Sequence, residues 1–233
     1  MALPTIAVPK YTMTIPSSKK KVSYRPFLVK EQKILLMALE SGEEKQMLDA
    51  MYEIIKACVE GVDDPLSMPM FDIEYMFAMI RSKSVGESVD VTAKCIHCDK
   101  PNDIVIPIDT IEVKFPESVS SKVMITDTMG VQLKYPSLKD AALPLKEMGV
   151  DELLDYLIRS MDYIFDADQV YPAKEHTKEE LLQFLESLNS DQFTRIVKFY
   201  ENLPYLNKEI EHTCVFCKEK FPISFKGLKD FFT

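Results

Sequence analysis

Two short cysteine pairs, set far apart, constrain this chain more than any other feature. Cys95-Ile96-His97-Cys98 and Cys214-Val215-Phe216-Cys217 each carry two thiols with two residues between them. Each pair sits between strand-like segments. Val91 and Ala93 precede the first and Ile104, Ile106 and Ile108 follow it, while Ile210 precedes the second and Phe221 to Phe225 follow. The two-residue spacing lets a tight knuckle aim both thiolates at one ion, and two knuckles complete the tetrahedron that structural zinc prefers. The expectation is therefore one structural zinc ion on Cys95, Cys98, Cys214 and Cys217, clipping the middle of the chain to its C-terminal part. More than a hundred residues separate the pairs, whereas compact zinc ribbons use much shorter gaps. The region between them is then an insertion whose ends meet at the metal. Two other readings stay open: free cysteines in two unrelated hairpins, and a redox pair, which would call for a βαβ setting that the pattern lacks. A site closed by four thiolates keeps no position for water, which argues against metal catalysis. His97 and His212 flank the knuckles and could substitute as ligands, but four cysteines suffice. Cys58 falls on an apolar helical stripe and reads as a core residue.

The chain has 233 residues and a formal net charge of -9. That length suffices for one large domain or two small ones with a normal core. The acidic balance disfavours nucleic acid as a partner, because phosphate is repelled. The one basic cluster, Lys19 to Lys21, falls in a turn. The N-terminal stretch has no basic-then-apolar run and is not read as a signal peptide. No stretch of about 18 apolar residues occurs, so no membrane span is expected. A cytoplasmic setting keeps thiols reduced and favours metal over disulfide.

Periodicity divides the chain. Residues 10–25 read as a β-hairpin around Pro16-Ser17-Ser18. Helical spacing follows, first through Ile34 and Leu39, then from a Ser41/Glu44 capping box through Met51, Ile54, Ile55 and Cys58, then through Ile73, Met76 and Ile80. Alternation takes over around the first knuckle, and another hairpin is expected at residues 122–135. From Ser137 the pattern is helical again, with Thr177/Glu180 and Asn189/Gln192 as further capping boxes. The expected fold is α+β: a mainly helical body with β-hairpins and a split four-cysteine zinc ribbon formed by the middle and C-terminal hairpins. The expected parts are a hairpin arm (1–26), a helical region (27–86), a β-rich ribbon region (87–136 and 205–233) and an inserted helical region (137–204).

Catalytic chemistry is hard to place. The three histidines, His97, His176 and His212, form no Ser/His/Asp or Cys/His set, and the six glycines are scattered rather than grouped in a phosphate loop. Asp63-Asp64 reads as a solvated loop pair. The residues alone describe a zinc-stapled binding or structural part with no small-molecule substrate and no enzymatic activity.

Two stretches carry a family resemblance. One is Tyr24-Arg25-Pro26-Phe27-Leu28-Val29-Lys30-Glu31-Gln32-Lys33, running into Leu35-Leu36-Met37-Ala38. The other is Pro69-Met70-Phe71-Asp72-Ile73-Glu74-Tyr75, followed by Ile80-Arg81-Ser82-Lys83-Ser84-Val85-Gly86-Glu87. Both resemble the baseplate hub and hub-assembly protein family of T-even-type contractile-tail bacteriophages, and Tyr135-Pro136-Ser137-Leu138-Lys139-Asp140 fits the same pattern. The resemblance implies a tail-morphogenesis protein in the host cytoplasm during assembly, or in the virion tail baseplate. It would act by contact with other baseplate and tail proteins. Candidate contact residues are Tyr24, Arg25, Phe27, Met70, Phe71 and Tyr75, with Phe231 and Phe232 in the apolar tail; the first six could equally serve packing of hairpin on helix. The zinc expectation rests on the cysteines and not on the resemblance. A zinc-ribbon regulator that binds nucleic acid or the host transcription machinery is the alternative function.

Overall fold

The structure is a computed structural model and describes residues 6–116, 120–140 and 148–227. Helices and strands both contribute, giving an α+β chain. It divides into two compact units, Met1–Lys114 with Tyr205–Thr233, and Phe115–Pro204.

The first unit opens with the hairpin β1 (Tyr11–Thr14) and β2 (Lys21–Tyr24). Its turn docks on a buried carboxylate: Asp72 accepts hydrogen bonds from the Ser17 amide at 3.0 Å and from the Ser17 hydroxyl. Helix α1 (Val29–Ser41) starts where Glu31 folds back, accepting from the Leu28 amide at 2.8 Å and from Arg25 Nη2 at 2.9 Å. It ends at Gly42, which adopts φ +66, a left-handed conformation that glycine reaches without a Cβ penalty. This overturns the Ser41/Glu44 capping box. Ser41 belongs to the last turn of α1, where its hydroxyl donates to the Ala38 carbonyl, and α2 (Glu44–Cys58) begins behind Glu43 with no capping side chain. The αL glycine ends one helix where an extended cap for the next would have to lie.

Beyond α2, β3 (Val59–Glu60) adds to the hairpin beside Tyr24 and Ser23. Helix α3 (Met70–Ser84) is buried on most of its sides, and Ile73, Met76, Ala78 and Ile80 are wholly enclosed. Such a helix must be surrounded by other elements; α2 packs on it, as do β6 (Glu112–Lys114) and β11 (Tyr205–Thr213). Two further hairpins complete this unit. β4 (Ser88–Lys94) pairs with β5 (Pro101–Pro107), and β11 pairs with β12 (Lys220–Lys226). β6 pairs with the start of β11, Lys114 opposite Tyr205, so the chain leaves this unit and re-enters it at neighbouring residues.

The second unit is a four-stranded antiparallel sheet with helices α4 (Val150–Arg159), α5 (Lys178–Glu186) and α6 (Ser190–Glu201). The strand order is β10-β9-β8-β7, from β7 (Lys122–Met124), β8 (Gly130–Leu133), β9 (Met161–Phe165) and β10 (Val170–Pro172). The region from Ser137 is thus not helical throughout. Ser160 closes α4, and the β-prone run Met161-Asp162-Tyr163-Ile164-Phe165 pairs with β8. Thr177/Glu180 and Asn189/Gln192 both form capping boxes. The core joins Val131, Leu133, Leu157, Met161, Ile196 and Phe199.

Two outcomes follow from these contacts. Glu31 is nearly enclosed; burial disfavours its charge, but Arg25 and the Leu28 amide win and hold its carboxyl below the ordinary 4.5. A depressed pKa stabilises the fold above the unfolded value, and that stability is lost as pH falls below 4.5. Glu31→Gln should lower stability by about 1–3 kcal/mol at neutral pH, with the gap to wild type in urea midpoint closing towards pH 3. In β8, a Cβ on Gly130 would lie 2.6 Å from the Val123 carbonyl oxygen and against the Phe165 ring. Gly130→Ala should cost about 1–3 kcal/mol in urea denaturation through this overlap.

Candidate metal centre

The knuckles lie at the tips of the two hairpins of the first unit, and these hairpins are built alike. The offset that carries Cys95 to Cys214 also carries the paired residues Lys94 and Pro101 to Thr213 and Lys220, and Ser88 and Pro107 to Asn207 and Lys226. The turns repeat bond for bond. Cys95 donates its amide to the Lys100 carbonyl at 3.0 Å, and Cys214 to Glu219 at 2.9 Å. The amides of His97 and Phe216 approach the first sulfur of their own knuckles, both at 3.4 Å. Asp99 and Lys218 close the turns at φ +58 and +66. In this way each backbone turns both of its thiols to one side.

The four sulfurs come together. All lie within 4.8 Å of one another, with Cys95 Sγ 3.7 Å from Cys217 Sγ and Cys98 Sγ 3.6 Å from Cys214 Sγ. Four thiolates bound tetrahedrally at about 2.3 Å from one ion would sit about 3.8 Å apart. The donor set and its spacing therefore fit a metal ion. Cys95 and Cys214 are buried with Phe221 packed against them, while Cys98 and Cys217 reach the surface in part.

The electrostatics point the same way. Burial opposes ionisation of Cys214, yet the amides of Cys217 and Phe216 and the Asn102 side chain hold its thiol down to about 6. At Cys217 the Glu219 amide favours the thiolate, but burial and hydrogen bonds with Cys214, Cys95 and Cys98 push it up to about 12. One ionised sulfur suppresses its neighbours, and only a cation among them lets all four ionise together.

The neighbours of the tetrad divide clearly. His97 turns its Nε2 to the Lys220 carbonyl at 3.3 Å, and His212 packs edge-on against Phe221 at 5.7 Å between ring centroids. Asn102 on β5 was silent in the sequence, because a lone asparagine in an alternating strand carries no pattern. It is 1% exposed, and its Nδ2 lies 3.6 Å from Cys214 Sγ. Cys58 is remote from this chemistry in α2, where burial pushes its thiol up to about 11. Asp64 of the acidic pair accepts from the Leu66 amide and the Ser67 hydroxyl.

A family model described as T4 bacteriophage base plate protein matches residues 8–233. The chain belongs to this family. No curated protein and no solved structure matches it. It is thus a phage baseplate protein, and among its described residues no helix is long and apolar enough to cross a membrane.

The contact residues expected in this baseplate protein differ in how far they reach the surface. Tyr24, Phe27 and Phe71 are buried. Arg25 spends its guanidinium on Glu31 and on the carbonyls of Pro26 and Ala57. Met70 and Tyr75 are half-buried on α3. Phe231 and Phe232 lie outside the described residues.

Because neither imidazole joins the four sulfurs, His97→Ala should keep the metal content of wild type. Cys95→Ser or Cys214→Ser should lose most of it. Elemental mass spectrometry of protein purified under reducing conditions measures both, and a drop with His97→Ala would put that ring among the ligands.

Proposed function

We propose that this chain is a non-enzymatic structural or assembly protein of the phage tail baseplate, at the level of hub morphogenesis. It acts by protein–protein contact, and one structural zinc ion on Cys95, Cys98, Cys214 and Cys217 closes its split ribbon. The family match over residues 8–233 carries the baseplate assignment, and the sulfur spacing supports the metal.

Zinc suits a tetrathiolate set better than harder ions, which favour oxygen ligands. When bound, it supplies charge neutralisation and a rigid four-way crosslink. Coordination by four protein ligands offers no position to a substrate, so the centre holds the chain rather than reacting. The proposed role is to present contact surfaces on a fixed frame. Apolar side chains are available for that purpose: Val29, Leu36, Met37 and Leu39 are exposed on α1, and Ile96, Val215 and Phe216 are exposed on the knuckle tips. Met70 and Tyr75 retain part of their surface. The partners are other baseplate and tail proteins, and the setting is the host cytoplasm during assembly and the virion tail.

Two measurements test this. Freshly purified reduced protein should contain about one equivalent of zinc, and chelation should lower its melting temperature, because a structural tetrathiolate site contributes folding energy directly. Less than half an equivalent would sink the zinc assignment. Mass spectrometry of purified tails and assembly intermediates should find the chain in one or both; absence from both would overturn the baseplate role.

A further inference from the structure

The two knuckles are alike in backbone but not in what lies behind them. The offset relating Cys95 to Cys214 makes Asn102 of β5 the counterpart of Phe221 of β12. Phe221 is 1% exposed and packs as an apolar wall against Cys95 and Cys214. Asn102 is equally enclosed but polar, and each of its amide atoms is used. Its Oδ1 accepts from the Val215 amide at 2.9 Å. Its Nδ2 donates to the Lys100 carbonyl at 3.0 Å and points to Cys214 Sγ at 3.6 Å. These partners over-determine the orientation of the amide, since Val215 needs an acceptor and Lys100 a donor. One side chain from the first hairpin thus grips its own knuckle, the backbone of the other knuckle and a sulfur of the tetrad.

We propose that Asn102 is the positioning residue of this metal centre: it locks the second knuckle against the first and donates to the Cys214 sulfur, so that the ion is held tightly only while this amide is present. The inference rests on the metal-centre reading above and adds the residue that sets how firmly the metal is kept. A buried amide that loses its partners costs more than an exposed one, and hydrogen bonds to ligand atoms orient them and tune their charge. Aspartate has the same shape and keeps the acceptor for Val215. It cannot donate, and it sets a negative charge against the thiolate and the Lys100 carbonyl.

The test uses the full chain loaded with cobalt(II), whose thiolate charge-transfer bands report the sulfur set. Release to a competing chelator is timed for wild type, Asn102→Asp, Asn102→Leu and Phe221→Leu. The last is the matched loss of packing at the equivalent position, with no hydrogen bond removed. Both Asn102 variants should release metal on the order of 10–100-fold faster than wild type, with a shifted charge-transfer band, and clearly faster than Phe221→Leu. Release at the wild-type rate, or no faster than Phe221→Leu, would overturn the proposal. If the variants do not fold, wild type loaded with an NMR-active cadmium isotope decides. A scalar coupling between cadmium and the Asn102 side-chain amide proton supports the contact, and its absence refutes it. A wild-type chain that binds no metal would fail the metal-centre reading itself. One equivalent bound with unaltered Asn102 variants would remove only the role of Asn102.

Discussion

Four sulfurs from two hairpins more than a hundred residues apart in the chain meet within 4.8 Å, and this convergence organises the first unit. Holding two such distant points together removes on the order of 4–5 kcal/mol of freedom from an unfolded chain. Something must offset that cost. A tetrathiolate ion, with an apparent binding energy of about 10 kcal/mol or more, is of sufficient size. Without a cation, thiolates this close to one another repel.

The sulfur cluster is not the sole tie. Lys114 lies opposite Tyr205 where β6 meets β11, so the ladder itself closes the neck through which residues 115–204 are inserted. The inserted unit has its own sheet and its own core of Val131, Leu133, Leu157, Ile196 and Phe199. A self-sufficient insertion lets the ribbon be split without exposing apolar surface inside the insertion. The ribbon hairpins and α3 form one frame, and the inserted unit packs about its own centre.

The near-duplication of the hairpins has a local cost and a local break. Asp99 and Lys218 sit in the left-handed region, which asparagine and aspartate tolerate better than lysine. Both positions are held there by the amide bonds back to Cys95 and Cys214. The break is at Asn102 and Phe221, where one hairpin brings hydrogen bonds and the other brings apolar bulk. A second phenylalanine in place of Asn102 would leave the Val215 amide without its acceptor.

The C-x-x-C spacing was legible in the sequence because a knuckle is a local device: two thiols two residues apart, between alternating segments, need no distant information. The same holds for the Thr177 and Asn189 capping boxes, whose partners lie three residues away. The Ser41 box failed for an equally local reason, since Gly42 can end a helix before a cap can form. Strand β9 was hidden because Met161 and Ile164 suit a helix face as well as a strand, and only pairing with β8 decides. Contact residues such as Tyr24 and Phe71 were ambiguous because an aromatic stripe reads the same whether it faces a partner or a core; the fold buries both. By itself, then, the sequence determined the two cysteine knuckles, the local turns and the mixed α+β character, all set by short-range chemistry. Tertiary structure alone decided that the sulfurs of the two knuckles meet, that Asn102 spans them, and where the inserted unit begins and ends. Those depend on residues brought together by packing and pairing across the chain, and no short-range pattern records them.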